Sequence, residues 1–428
     1  MEIAKSTSES TGEEETAFLG WRMVGVAFLS NCLASGITIA AFGNFVDPVS
    51  EAFGASRSTI SQAMAIAFVV IGFLGPFAGA LLDRGWARPM MATGVVIAGT
   101  GLILLSHATE LWQAGIFFCG FVGLGAALFG IMPSMALVSH WFVRQRGLAI
   151  GISAAGLTLV GGLGPAAAEF LIDLYGWRAA MMYIGVATIL IGLPVFTRIV
   201  IARPELVGQR PDGDSFVIDE DSTANPGVES SVLTAAELAR DSRLWILSIG
   251  FGLILTSPLV MTPVVVPYGT DLGLTAQQAT AFFAAMMPFS LLGKIVVGRW
   301  ADVAPIKSAM GFVAVGNAAV WLLLYLEPGF YLFLVTGAIY GLGIGGASPL
   351  QGVAMGRMFG RANFGRASGF GGVVAIAVIT SAMVLFQVLY GSTGNYGTGF
   401  LVQAVLIMAG GVLIAAVRIP EAAGGTTA

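Results

Sequence analysis

Gly79-Ala-Leu-Leu-Asp83-Arg84-Gly85-Trp86-Ala87-Arg88 ends one long apolar run, and Gly298-Arg-Trp-Ala-Asp302, followed by Lys307, ends another 219 residues later. The two stretches share a physical logic. A glycine lets two helices approach closely, an aspartate sits at the helix end, and the cations beyond it can pair with the aspartate or with a helix C-terminus. Gly79, Asp83, Arg84, Arg88 and Asp302 therefore read as a latch at one end of the molecule. It can close that end and release it.

The repetition is not confined to the latch. Gly123-Leu-Gly125 returns as Gly341-Leu-Gly343, and Arg146 finds a match in Arg366. These offsets of 218 and 220 agree with the first to within a residue, which points to a duplicated unit. The intervening sequence is apolar enough to say what the unit is. Of 428 residues, 56% are hydrophobic and 10% charged. Soluble domains carry about 25% charged residues, so this chain lacks the polar coat that water requires. The apolar runs are long and continuous, without the alternation of barrel strands, and so read as helices. They fall near 21–45, 59–82, 89–107, 112–139, 147–172 and 177–201, then 244–269, 275–300, 308–326, 329–358, 366–390 and 396–418.

The fold class expected is an all-α membrane protein with twelve transmembrane helices in two pseudo-symmetric six-helix bundles. Its parts are a tail (1–20), a first bundle (21–201), a linker (202–243), a second bundle (244–418) and a closing tail (419–428). The linker carries Pro204, Pro211, Pro226 and the acidic residues Asp212, Asp214, Asp219, Glu220 and Asp221. That composition predicts a solvated, flexible tether. Thr234-Ala-Ala-Glu237 has capping-box spacing and predicts a short helix before span seven.

Orientation follows from the cations. Seventeen of the 20 Lys and Arg residues fall on the side that holds both termini and the linker. The positive-inside bias predicts a multi-pass protein of the cell (inner) membrane with N-in, C-in topology. The acidic N-terminal segment, with Glu13, Glu14 and Glu15, lacks a signal-peptide n-region, so span one is expected to remain. Cys32 and Cys119 read as packing residues. His107 and His140 sit at span ends, and no metal-ligand spacing appears, so no metal or other cofactor is expected. Nothing argues for nucleic acid, and a functional monomer is expected.

The latch resembles the loop signature of the major facilitator superfamily, as do the repeat and the topology. Three stretches further resemble its monocarboxylate-transporter family, bacterial-type members included. They are Gly20-Trp21-Arg22, Phe359-Gly360-Arg361-Ala362-Asn363-Phe364-Gly365-Arg366, and the most specific, Trp141-Phe142-x-Arg144-x-Arg146-Gly147-Leu148-Ala149-x-Gly151-x-Ser153-Ala154-Ala155-Gly156. Leu157 and Val160 depart from the family's usual Ser and Gly. The resemblance implies a secondary active transporter for a small organic monocarboxylate, with proton symport.

Lys294 is the one cation within a span, eight positions before Asp302 and so roughly 12 Å inside the boundary. An intramembrane ammonium is costly unless it meets an anion or water, which makes it a functional candidate; the alternative is snorkelling along its own stem. The resemblance implies that a cation here, normally arginine, partners the substrate carboxylate. Ser290 stands one turn earlier, where the mammalian members carry aspartate, and their span-one lysine has no counterpart. Further substrate-binding candidates are Asn31, near the midplane, and Tyr340, Ser348 and Gln351 on span ten; interhelical bonding or packing is the alternative for each. Glu169 is a candidate proton carrier or a hydrated gate acid. Arg178, beside Trp177, is expected to anchor span six, and Pro258, Pro263 and Pro267 predict a broken span seven.

Three rivals remain. Gly161-Gly162-Leu163-Gly164-Pro165 partly resembles the antiporter motif of proton-driven exporters of drugs and other amphipathic compounds. A membrane enzyme would need a catalytic dyad at depth, and none is visible. A sensor on a transporter fold would show no flux.

Overall fold

The computed structural model describes residues 17–36, 42–214 and 232–420, and the secondary structure within them is helical. Ten helices are long and apolar enough to cross a membrane. One of these, Arg146–Arg198, has 53 residues and would be about 80 Å long if straight, more than two bilayer cores. It turns back at Gly176, whose φ of 77° and ψ of 160° a side chain would resist, and so serves as spans five and six. In the region of span one the described helices are Gly20–Ser35 and Phe42–Phe53, the latter running beyond the expected end at 45. With the bent helix counted twice and this region added, the described residues account for twelve.

The other spans are Arg57–Asp83, Ala87–Ser106 and Leu111–Trp141, then Ser242–Asp271, Ala276–Val303, Ile306–Tyr325, Phe330–Phe359, Phe364–Thr393 and Gly397–Ala416. Span four includes a π-helical segment, Ile116–Val122. Span seven is continuous across Pro258, Pro263 and Pro267, contrary to the expected break. Membrane helices tolerate proline where neighbours satisfy the freed carbonyls, and Pro76, Pro288 and Pro349 likewise lie inside unbroken spans.

Lipid offers no hydrophobic drive for helices to associate, so close packing must supply it. Small residues do this within each bundle. Gly99 of span three meets Gly185 of span six, Gly156 of span five meets Phe28 and Cys32 of span one, and Gly341 and Gly345 of span ten meet Ser290 of span eight.

Between the bundles the same device recurs along two seams. Gly72, Gly75 and Gly79 of span two face Ile376, Gly369 and Gly365 of span eleven. Gly147, Gly151 and Gly162 of span five face Gly298, Lys294 and Met287 of span eight. Both seams start at the face that carries the linker.

The described parts of the linker, 202–214 and 232–243, hold local structure. They form tight turns at Pro204–Val207 and Pro211–Gly213, and the helix Ala235–Arg240 opens with both capping-box bonds between Thr234 and Glu237. Those bonds hold the Glu237 carboxyl below its ordinary range. Asp212 and Asp214 are engaged by the loop between spans four and five, Asp214 while still exposed. Asp219, Glu220 and Asp221 lie outside the described residues, as does Pro226.

Candidate functional site: the linker-face latch and the buried cation

Each latch aspartate crosses to the opposite bundle. The Asp83 carboxylate accepts from the backbone N–H of Gly365 at 2.8 Å and of Arg366 at 2.9 Å, at the start of span eleven. Asp302 accepts from Gly147 at 2.7 Å and Leu148 at 2.9 Å, at the start of span five. The first turn of a helix has N–H groups without intrahelical partners and carries partial positive charge, so each carboxylate caps a helix that is not its own. The glycines make this possible. A Cβ on Gly79 would overlap the Gly365 carbonyl, and one on Gly147 would overlap the Gly298 carbonyl.

This geometry decides between two alternatives and corrects one reading. Of the partners open to the cations, Asp83 or a helix C-terminus, Arg84 and Arg88 do not take Asp83. Arg84 is exposed, and Arg88 Nε donates to the Val200 carbonyl at 2.8 Å, just beyond span six. Lys307 Nζ does the same for Ala415 at the end of span twelve, at 2.7 Å. These cations close helix C-termini within their own bundles. The correction concerns register. The capped pairs, Gly147 with Leu148 and Gly365 with Arg366, differ by 218, so Arg366 corresponds to Leu148 and not to Arg146. Arg146 is buried and donates to the carbonyls of Phe142 at 3.1 Å and Ser139 at 3.4 Å, whereas Arg366 Nε lies 3.8 Å from Asp83. The offset of 218 already present in the Gly-Leu-Gly pair was the sequence signal for this.

Other contacts add to the closed face. His140 Nε2 lies 3.2 Å from the Arg361 carbonyl, and Arg361 pairs with Glu205 at 2.9 Å. Arg357 donates to Ala301 at 2.7 Å, and Arg203 donates to the Asp83 carbonyl. Among the described residues, the hydrogen bonds that join the two bundles lie at this face.

Deeper along the second seam is Lys294, 6% exposed. A lysine that had snorkelled to the interface would be far more accessible. Its backbone packs on Gly151 of span five, and the adjacent Gly293 packs on Leu342 of span ten. Among the described residues no acceptor bonds its ammonium. Ser290 is also buried, one turn away on the side of span ten.

The remaining candidates separate. Ser348 and Gln351 are half-buried and have no hydrogen-bonding partner among the described residues. Ser348 lies one turn before Gly352, which touches Ile150 of span five, so it continues the face of span ten that meets the first bundle. Tyr340, by contrast, is buried against Phe282 at 5.9 Å. Asn31 Nδ2 donates to the Ser153 carbonyl at 2.9 Å. Ser153 is two residues from the Gly151 contact of Lys294, which places Asn31 at similar depth but on the other side of span five. Asn31 therefore ties spans one and five together. Glu169 is exposed and lies 18 residues along span five from Gly151, roughly 27 Å of rise, so it does not share a site with Lys294. Arg178 stacks over Trp177 at 4.3 Å and donates to Ser106 and Ala108 at 2.9 and 2.8 Å.

Two helical bundles sealed at one face, with a buried cation on the seam between them, have the arrangement of a membrane transport protein. A profile of the Major Facilitator Superfamily matches residues 24–304, and the chain belongs to that superfamily. Within it the chain is similar to Monocarboxylate transporter 2 of Mesocricetus auratus, at 23% identity over 92% of this chain and 83% of the relative. Monocarboxylate transporter 13 of Bos taurus is 25% identical over 92% of this chain and 88% of the relative. The fold is shared with solved structures of the human organic anion transporter MFSD10, with a TM-score of 0.68 and 15% identity over 92% of this chain and 99% of that one. It is also shared with the proton:xylose symporter XylE, with a TM-score of 0.70 and 14% identity over 95% and 98%.

Proposed function

We propose that this chain is a secondary active transporter that carries a small organic monocarboxylate by alternating access, with Lys294 as the carboxylate's partner. The observation that carries this reading is a buried ammonium, on the seam between the bundles, without an acceptor among the described residues. Such a charge is unfavourable until an anion arrives, and a carboxylate then makes a charge-assisted bond in a setting of low dielectric. One cation suits one carboxylate. Lysine presents a point charge rather than the fork of arginine, so it favours small anions of varied shape. Ser290, Ser348 and Gln351 supply hydroxyl and amide groups for the rest of the substrate.

The two bundles, 21–201 and 244–418, rock about this site as units. The linker face is cytoplasmic in this reading, with N-in, C-in topology in a cell membrane, so the closed latch corresponds to a carrier turned away from the cytoplasm. A ligand shifts this equilibrium only through its different affinity for the two states. Lys294 supplies that difference if its charge is met only when the bundles enclose the anion. Proton symport completes the proposal and rests on the similarity to monocarboxylate transporters.

The test is reconstitution in liposomes with a panel of labelled mono- and dicarboxylates, with and without a pH gradient. Wild type is expected to accumulate a monocarboxylate and Lys294→Gln to lose at least tenfold in rate. Equal carboxylate uptake by the variant overturns the assignment of Lys294. Transport of varied amphipathic compounds instead, indifferent to Lys294, replaces the reading with that of an exporter.

A further inference from the structure

The loop entering span five presents a run of backbone N–H groups from 143 to 148, and two carboxylates from different parts of the chain serve it. Asp302 takes Gly147 and Leu148 from the opposite bundle. Asp212, in the linker, takes Val143 and Arg144 at 3.0 Å each and Gln145 at 3.4 Å. Span five has no cap of its own, because the side chain of Gln145 at its N-cap makes no capping bond.

The linker arm that carries Asp212 is fastened to the first bundle. Trp141 Nε1 donates to Ile201 at 2.9 Å. The Gln209 side chain accepts from Leu19 N–H and donates to the Ala17 carbonyl, at 3.0 and 3.1 Å. Arg144 pairs with Asp214. Asp212 itself sits at φ 59°, a left-handed conformation that a side chain adopts at a cost. None of these contacts crosses to the second bundle; among the described residues the arm's one ion pair that does, Glu205 with Arg361, is partly exposed and seven residues before Asp212. When the bundles part, the bonds of Asp302 must break, while those of Asp212 can persist.

We infer that Asp212 is a positioning residue for the latch, holding the 143–148 loop so that Gly147 and Leu148 are aimed at Asp302 before it docks. This rests on the reading that the bundles rock and that the linker face opens. Preorganising the receiver lowers the entropy lost on docking and so favours the closed face. Two carboxylates at one helix end also repel each other, with the opposite sign. Asp212→Asn separates the effects, since it keeps an acceptor oxygen and removes the charge.

The experiment uses the full chain in proteoliposomes with Cys32→Ser and Cys119→Ser, and a membrane-impermeant maleimide. Ile150→Cys, buried against Gly352, reports opening of the linker face; Met287→Cys, half-buried against Gly162, reports the far end of the same seam. Asp212→Ala is expected to raise labelling at 150 about fivefold without raising it at 287. Asp212→Gly, which also relieves the positive φ, is expected to match it, and Asp212→Asn to stay near wild type. In an Asp302→Ala background, Asp212→Ala should add nothing. Unchanged labelling at 150 in the Ala and Gly variants, a rise at both reporters, or full additivity with Asp302→Ala overturns the inference. If Asp302→Ala itself leaves 150 protected, the rocking-latch reading fails instead.

Discussion

The two latches of this protein repeat one geometry in different electrostatic surroundings. Asp83 is buried, has the Arg366 guanidinium 3.8 Å away, and its carbonyl accepts from Arg203. Asp302 is half-buried, meets Leu148 where its counterpart meets Arg366, and has Arg357 and Arg299 of its own bundle nearby. The helix-capping bonds are equivalent and both carboxylates have cations near them, but among the described residues only Asp83 has one within 4 Å, and that one comes from the opposite bundle. This cross-bundle ion pair is what makes the span two to span eleven seam the firmer one.

Steric changes should erase the difference and have the largest effect. Leucine at Gly79 or at Gly147 would meet main-chain carbonyls that cannot move aside. Both variants are expected to lose the closed linker face altogether. Spin labels at Arg84 and Val303, which are exposed on that face in opposite bundles, would then report only longer distances.

Electrostatic changes should reveal the difference. Charge-assisted hydrogen bonds contribute roughly 1.5–3 kcal/mol, and a buried charge depends on them most. Asp83→Asn is expected to shift the label population toward the open state about thirtyfold, and Asp302→Asn about fivefold. Arg366→Gln should bring the two variants close together. Equal shifts with Arg366 intact would refute the claimed asymmetry.

The smallest effects belong to the cations that cap helices inside one bundle. Arg88→Ala and Lys307→Ala each remove a bond at a helix C-terminus, about 0.3–1 kcal/mol. A fall in Tm of about 1–2 °C with unchanged label distances is expected from either. A changed distance distribution would mean that these residues take part in the latch after all.

Much of this organisation was legible in the sequence because hydropathy and charge act over long windows. Helix number, the duplication and the latch positions follow from apolar runs and from Gly-x-x-x-Asp recurring at a fixed distance. Lys294 stood out because a cation is rare within a span. What stayed hidden were bonds between side chains and peptide groups. Asp83 and Asp302 bind N–H groups that every residue possesses, so no residue type marks Gly365, Arg366, Gly147 or Leu148 as receivers. Whether Asn31 faces a cavity or a neighbouring span stayed open for a related reason. Its depth could be counted along span one, but its rotation about the axis could not. Composition was silent on the partners of the linker acids: Asp212 meets three consecutive amides and Asp214 meets Arg144.

The receivers' reliance on peptide groups has a practical consequence for instrumentation. Leu148 contributes an amide to the seal, while its side chain is only half-buried. An environment-sensitive fluorophore attached there would ride on the docking point and leave the hydrogen bond untouched. The closing of a single carrier could then be timed by its brightness, without a substrate that must first be identified.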